Sequence, residues 1–445
     1  MDARSAALAI LQEVDQGAYA HLAMKQILEG SGLGHLDRAL VTELAYGCIR
    51  RQNTLDHIAG QYLRRQKDLP AGVRRILRMG VYQLLYMDRI PPSAAVNESV
   101  KLCVSSGMPG MKGLVNAVLR NVERARGRNY FSGITDAAQR ISLELSHPAW
   151  MVREFIRRYG AKDAVDLMEY NNRPQPNILR VNTLRTTRNA LWEQWKAKGY
   201  TLQDPGIPDT IQVGEGTQLL GGIGEYKGLF HPQSAAGILA ALALGARPGE
   251  AVLDCCAAPG GKAFVLAQQM EDTGTLLCTD IHPHRIRLLE NGAATLGVKG
   301  LRAEVRDWTC PQDDLAGRFD RVLADVPCSG LGVLAGRPDA RWRRSRASMT
   351  ELAGIQRKIL SQSAQAVCPG GILLYVTCTL TGLENEENRE WFLENHPGFQ
   401  ADPFVLPAPF LAETDRDALS QGHIELQPFR HGVEGFYLAC FRRNR

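Results

Sequence analysis

The stretch that most constrains this chain is Val252-Leu253-Asp254-Cys255-Cys256-Ala257-Ala258-Pro259-Gly260-Gly261-Lys262. It reads as an apolar strand, a glycine turn and the start of a helix. Such a unit belongs to α/β folds, whose ligands sit at the carboxyl ends of the strands. Apolar strand patterns continue at 274–281, 301–305, 319–326 and 372–377, with helical patterns at 283–296 and 349–367. That alternation predicts a doubly wound, largely parallel sheet. Residues 436–441 are predicted to close the chain as an edge or hairpin strand.

The first 130 residues read differently. Leu40, Val41, Leu44, Ala45 and Cys48 recur at helical spacing, as do Leu77, Val81, Leu84 and Leu85. Segments 95–104 and 115–122 are further amphipathic candidates, and Pro91-Pro92 separates helices. An all-helical bundle is expected over 1–130. Residues 127–133 suit a linker. Residues 136–170 again look helical, and a small mixed segment follows from about 171, with strands at 178–181 and 211–213 and a helix at 187–198, so that 131–234 is expected to hold linker helices and a small α+β segment. The α/β domain is expected over 235–445.

Composition narrows the function classes. With 44% hydrophobic and 22% charged residues, the chain is an ordinary globular one. Its longest apolar run, 235–246, is too short to span a bilayer, and no signal-peptide core follows Met1. No membrane partner is expected. The ten cysteines contain no Cys-x-x-Cys pair and read as reduced cytoplasmic thiols. The net charge is +5, unevenly placed. Residues 1–130 hold 18 Lys and Arg against 11 Asp and Glu, whereas the remainder is slightly acidic. This suits either a polyanionic partner or a solvated helical surface.

The glycine turn is neither Gly-x-Gly-x-x-Gly nor a P-loop, since Ala263 follows Gly261-Lys262. Asp280 ends the second strand about 20 residues later, where an acid can grip a ribose. Asp307 ends the third. Acids at successive strand ends favour a nucleoside pocket. His282 and His284 lack metal-ligating partners at zinc spacing, so no metal is expected. Asp325-Val326-Pro327-Cys328 ends the fourth strand, and Thr377-Cys378-Thr379 ends the fifth. Both thiols can then face one substrate, and a thiolate is a strong nucleophile.

These motifs resemble those of RNA 5-methylcytosine methyltransferases, which use S-adenosylmethionine on a class I, Rossmann-like fold. The N-terminal part resembles a NusB-like helical domain through VTELAYGCIRRQNTLD from Val41, RILRMGVYQLLYMDRIP from Arg75, AAVNESVKL from Ala94 and GLVNAVLRN from Gly113. The combination is similar to the bacterial RsmB (Sun/Fmu) family of 16S ribosomal RNA cytosine-5 methyltransferases. LSHPAWMVREFIRRYG from Leu145, NNRPQPNILRVNTLRTT from Asn171 and EGFYLACF from Glu434 extend the likeness over nearly the whole chain.

The resemblance implies that Cys256, Ala257, Ala258, Pro259, Gly260, Gly261, Lys262, Asp280, Asp307 and Asp325 contact the cofactor. Asp280 would hold the ribose hydroxyls, and Asp307 would lie near the adenine. It implies Cys378 as the nucleophile and Cys328 as an aid to product release. Asp325 is the candidate partner for the pyrimidine N3/N4 edge. S-adenosylhomocysteine would be the by-product. The implied substrate is 16S ribosomal RNA or an assembling small subunit, and a monomer is expected. Alternatives are the same chemistry on transfer RNA or another RNA, a methyltransferase acting on protein or small molecules, or a non-catalytic antitermination-type RNA-binding factor. Three departures stand out: Cys255 replaces an aliphatic residue, Thr379 replaces a common serine, and Ala335-Gly336 falls where two basic residues are common. Arg337, Arg341, Arg343, Arg344 and Arg346 around Trp342 are a candidate phosphate-binding and base-stacking segment.

Overall fold

The computed structural model describes residues 1–64, 69–214 and 226–445. Its contacts divide into two units, one of 1–174 with 334–343, the other of 175–333 with 344–445.

The first unit is helical. Ala3–Asp15, Ala20–Glu29, His35–Arg50, Gln52–Gly60, Ala71–Tyr86, Pro92–Ser105 and Lys112–Arg124 form its bundle, followed by Ala137–Glu144 and Ala149–Tyr170. Ala71–Tyr86 is the hub, with every residue from Ile76 to Leu84 buried. Arg78 lies within that stretch and is neutralised by a two-pronged pair with Asp56, both contacts 2.7 Å. Pro92 opens its helix at the position where a missing N–H costs nothing.

The arginine-rich segment corrects the sequence reading, because much of it is part of this unit's core. Arg341 is wholly buried. Its guanidinium donates to the carbonyls of Arg50, Ser146 and Asn171 and to Asn172 Oδ1, all at 3.0–3.1 Å. The Trp342 indole donates to Ile49 O, and Arg343 donates to Gly17 O and Ala18 O. These groups are spent on structure and are not presented to a nucleic acid. Arg337 and Arg346 are exposed.

The second unit holds two sheets. In the smaller, β1 (Asn177–Val181), β2 (Leu202–Gln203), β3 (Thr210–Val213) and β4 (Phe230–Pro232) pair antiparallel in the order β2-β3-β1-β4. Helix Arg188–Ala197 packs Trp195 into a small core with Val181, Ile211 and Phe230.

The larger sheet comprises β5 (Ala251–Asp254), β6 (Thr275–Asp280), β7 (Leu301–Val305), β8 (Phe319–Asp325), β9 (Val367–Thr377), β10 (Phe399–Ala401), β11 (His423–Leu426) and β12 (Phe436–Arg443). Its order is β10-β12-β9-β8-β5-β6-β7, with β11 also on β12. The strands β7-β6-β5-β8-β9 are parallel, and β12 joins β9 antiparallel. Successive residues feed opposite cores. Val252, Leu323, Leu374 and Leu438 pack with helices Ala235–Leu244, Gly261–Gln269 and Pro283–Leu296. Leu253, Val322, Tyr375 and Tyr437 pack with Arg346–Ala366 and Glu386–Asn395.

Of the two alternatives read for residues 436–441, the hairpin is met, as they pair antiparallel with the preceding strand β11, and the edge is overturned. Strand 436–441 is interior, flanked by β9 on one side and by β10 and β11 on the other. All six of its residues are buried, as a strand covered on both faces requires. Among the described residues, no helix is long and apolar enough to cross a membrane.

Candidate active site

The parallel register brings the acidic strand ends together. Asp254 ends β5 opposite Cys278 and Leu323, Asp280 ends β6 opposite Val305, and Asp325 ends β8 opposite Val376. Cys378 follows the end of β9. The glycine turn lies over these ends. Gly260 has φ +116°, and a Cβ there would stand 2.4 Å from the Phe264 ring. Only glycine takes this conformation and this packing together. Ala257 N–H donates to Thr279 O at 2.8 Å, and Arg285 donates to Ala258 O at 2.6 Å. The Ala258–Pro259 peptide is cis. Cys256, two residues past the end of β5, is a half-buried thiol whose pKa is pushed well up by desolvation.

Lys262, in the first turn of helix Gly261–Gln269, places its ammonium 2.6 Å from Asp325 Oδ2 and 5.3 Å from the centre of the Phe436 ring. Burial works against that charge. Asp325, Cys378 and Asp254 outweigh it and raise the lysine pKa above its ordinary value. Lys262 is therefore a fixed cation at the mouth of the strands.

The two strand-end cysteines meet. Their Sγ atoms are 3.2 Å apart, and Cys378 N–H donates to Cys328 Sγ at 3.3 Å. The contact with Cys378, followed by burial, pushes the Cys328 thiol well up. Behind them lies a buried polar network. Glu384 accepts from Ser329 N–H at 2.8 Å, Ser329 Oγ at 2.5 Å, Thr381 Oγ1 at 2.9 Å and Gln356 Nε2 at 3.0 Å. Gln356 also donates to Pro327 O, and Arg344 donates to the carbonyls of Cys328 and Ser329. Gly332 closes the same loop: its N–H donates to Cys378 O, and a Cβ there would lie 1.9 Å from Gly435 O.

The remaining acids differ in their surroundings. Asp280 is almost fully buried, accepting from His282 N–H at 2.9 Å and pairing with Arg285 at 2.9 Å. Asp307 accepts from the Thr309 hydroxyl at 2.7 Å and its N–H at 2.9 Å, which lowers its pKa. It stands one strand further out, past β7. Asp254 is buried, and among the described residues neither carboxylate oxygen has a hydrogen bond of ordinary geometry. Burial first and the Asp325 charge second raise its pKa to about 8, against the opposing pull of Lys262 and the Cys256 N–H.

Two of these residues escaped the sequence reading. Asp254 was visible as the acid closing the first strand, but its isolation was not. Glu384 lies in the polar run Glu384-Asn385-Glu386-Glu387, which reads as a solvated helix start. Its burial is set only by the loops folded over it.

Comparison with known proteins places this geometry in context. The family description "16S rRNA methyltransferase RsmB/F" matches residues 241–442, "NusB family" matches 1–124, and an RsmF/B-like ferredoxin-like domain matches 147–219. The chain is 32% identical to the probable ribosomal RNA small subunit methyltransferase B of Bacillus subtilis, covering 99% of this chain and 98% of that one. It is 34% identical to the ribosomal RNA small subunit methyltransferase B of Thermus thermophilus, covering 99% and 97%. A methyltransferase homologue from Pyrococcus horikoshii superposes with a TM-score of 0.60 at 26% identity, over 70% of this chain and all of that one.

Proposed function

Because the chain belongs to the RsmB/F family of S-adenosylmethionine-dependent 16S ribosomal RNA methyltransferases, we propose that it methylates C5 of a cytosine in small-subunit ribosomal RNA, through a covalent bond between Cys378 and C6. The observation that carries this reading is the pair of thiols 3.2 Å apart at adjacent strand ends, beside the Lys262–Asp325 ion pair.

The strand ends fit the cofactor. The buried carboxylate of Asp254, with no hydrogen bond of ordinary geometry among the described residues, calls for a donor. The turn at 256–262 opens its backbone at Gly260. Asp280 would hold the ribose hydroxyls, Asp307 would lie near the adenine, and Lys262 and Asp325 would flank the reacting end. When bound, S-adenosylmethionine supplies an electrophilic methyl group.

Cytosine C5 is a poor nucleophile. Attack of Cys378 Sγ on C6 forms a C–S bond and shifts the ring electrons toward N3 and O2, making C5 enamine-like. The Lys262 charge, within electrostatic reach of Cys378, favours the thiolate that attacks. Asp325, already held by an ammonium, suits acceptance of a hydrogen bond from the exocyclic amino group. After methylation, the C5 proton leaves to a base and the C6–S bond breaks, restoring the ring. Cys328, held as a thiol next to Cys378, assists that departure.

The target base must be unpaired or flipped to reach this site. The helical region 1–130 would supply phosphate contacts, residues 131–234 would connect it, and 235–445 would carry the chemistry. We place the protein in the cytoplasm as a monomer.

The test is incubation with methyl-labelled S-adenosylmethionine and unmodified small-subunit ribosomal RNA, followed by nucleoside analysis. Label in 5-methylcytidine at one site is expected, and label in any other nucleoside refutes the reading. Cys378→Ala should form no covalent RNA adduct. Cys328→Ala should form the adduct and release it slowly; failure to form it would reverse the two roles.

A further inference from the structure

Each cysteine is followed directly by a hydroxyl residue, and the two hydroxyls bond each other. Ser329 Oγ and Thr379 Oγ1 are 2.6 Å apart. Ser329 Oγ also lies 2.5 Å from Glu384 Oε2. A hydroxyl has one proton to give. Ser329 spends its proton on the carboxylate, so Thr379 donates to Ser329. The chain of donation therefore runs Thr379 to Ser329 to Glu384, one residue behind the two thiols. All three side chains are wholly buried. Glu384 is tied further to Thr381 and Gln356, and Gln356 to Pro327 O, so both loops hang from one carboxylate. A satisfied buried network of this kind rigidifies what it holds.

We propose that Thr379, Ser329 and Glu384 form a clasp that sets the separation and aim of the Cys328 and Cys378 thiols, making Glu384 a positioning residue for both covalent attack and release. The catalytic part of this rests on the cysteine mechanism proposed above; the thiol spacing does not. The clasp also gives a reason for the hydroxyl at 379, which either serine or threonine provides and valine does not.

The test uses the full-length protein and two readouts. Phenylarsine oxide, which bridges close thiol pairs, reports the spacing without RNA; the relevant capture is the part lost in Cys378→Ala. Steady-state methylation of small-subunit RNA reports the chemistry. Thr379→Val should slow arsenical capture at least tenfold. It should lower kcat about 10- to 100-fold, the scale of a small misplacement of a reacting group, with KM for RNA unchanged within about twofold. Thr379→Ser should recover most of the lost rate. Glu384→Gln keeps the volume but turns an amide toward donors, and should act in the same direction. It also serves as the second variant if Thr379→Val does not fold. Wild-type capture and kcat in Thr379→Val or in folded Glu384→Gln would overturn the clasp, as would equal loss in Thr379→Ser. If capture falls in the variants while no protein, wild type included, labels cytosine, the clasp stands and the cytosine reading fails.

Discussion

Two cations, one in each unit, teach opposite lessons. Lys262 faces Asp325 at 2.6 Å, and nearby anions hold its charge in place despite burial. Arg341 is wholly buried and meets four carbonyl-type oxygens and, among the described residues, no carboxylate, so burial drives its pKa well down. Both sit in motifs that look functional in sequence. The partner distinguishes them. A cation paired with an acid at a strand end can act on a substrate. A guanidinium whose terminal nitrogens donate to backbone carbonyls and a side-chain amide oxygen is mortar between chain segments.

The contrast is open to experiment. The largest effect is expected at the first site. Lys262→Met should lower methylation by about 10²–10³-fold, the scale of one lost electrostatic stabiliser, with little change in the unfolding midpoint. A large fall in stability with normal activity per folded molecule would make Lys262 structural. Arg341→Met should do the reverse. It strands four acceptors and should cost about 3 kcal/mol in denaturant unfolding. The salt dependence of RNA binding should be untouched in the folded fraction, and a shallower slope would restore Arg341 as a phosphate contact.

Asp254 sharpens the picture on the acidic side. Its folded pKa is about 8, above its unfolded value. Both states are protonated below about pH 4. Between there and pH 8 the unfolded chain releases this proton and the folded one keeps it. Its contribution to stability therefore falls as pH rises through that window and levels off above it. Asp254→Asn should remove the decline and be more stable than wild type at pH 8 by on the order of a few kcal/mol. Parallel pH–stability curves for the two proteins would contradict this. The smallest effect belongs to the exposed Arg337. Arg337→Ala should leave unfolding unchanged and reduce the slope of log affinity against log salt by about one if it touches a phosphate.

The secondary structure was largely legible because burial imposes a period. The helix at 283–296 and strand 301–305 were read to the residue, and strand 178–181 to within one. The strand read at 372–377 begins at Val367, and Cys368-Pro369-Gly370-Gly371 hides that start by interrupting the apolar pattern. Position within the sheet was less legible. Phe436 to Phe441 is apolar at every residue, a pattern that signals cover on both faces, yet its place at the chain's end suggested an edge. The arginine segment failed for a related reason: charge predicts exposure unless another part of the chain supplies acceptors, and those of Arg341 come from Arg50, Ser146, Asn171 and Asn172.

By itself the sequence determined the alternation of strands and helices, the glycine turn at 256–262 and the presence of two thiols and three acids at strand ends. These follow from local rules of period, turn geometry and strand polarity. Only the tertiary structure decided that Cys328 and Cys378 touch, that Lys262 pairs with Asp325, that Asp254 is left without a well-placed donor among the described residues and that Glu384 is buried beneath both loops. Each depends on groups 50 or more residues apart, or on loops closing over a side chain. Distance and desolvation are properties of the packed chain, and no local pattern encodes them.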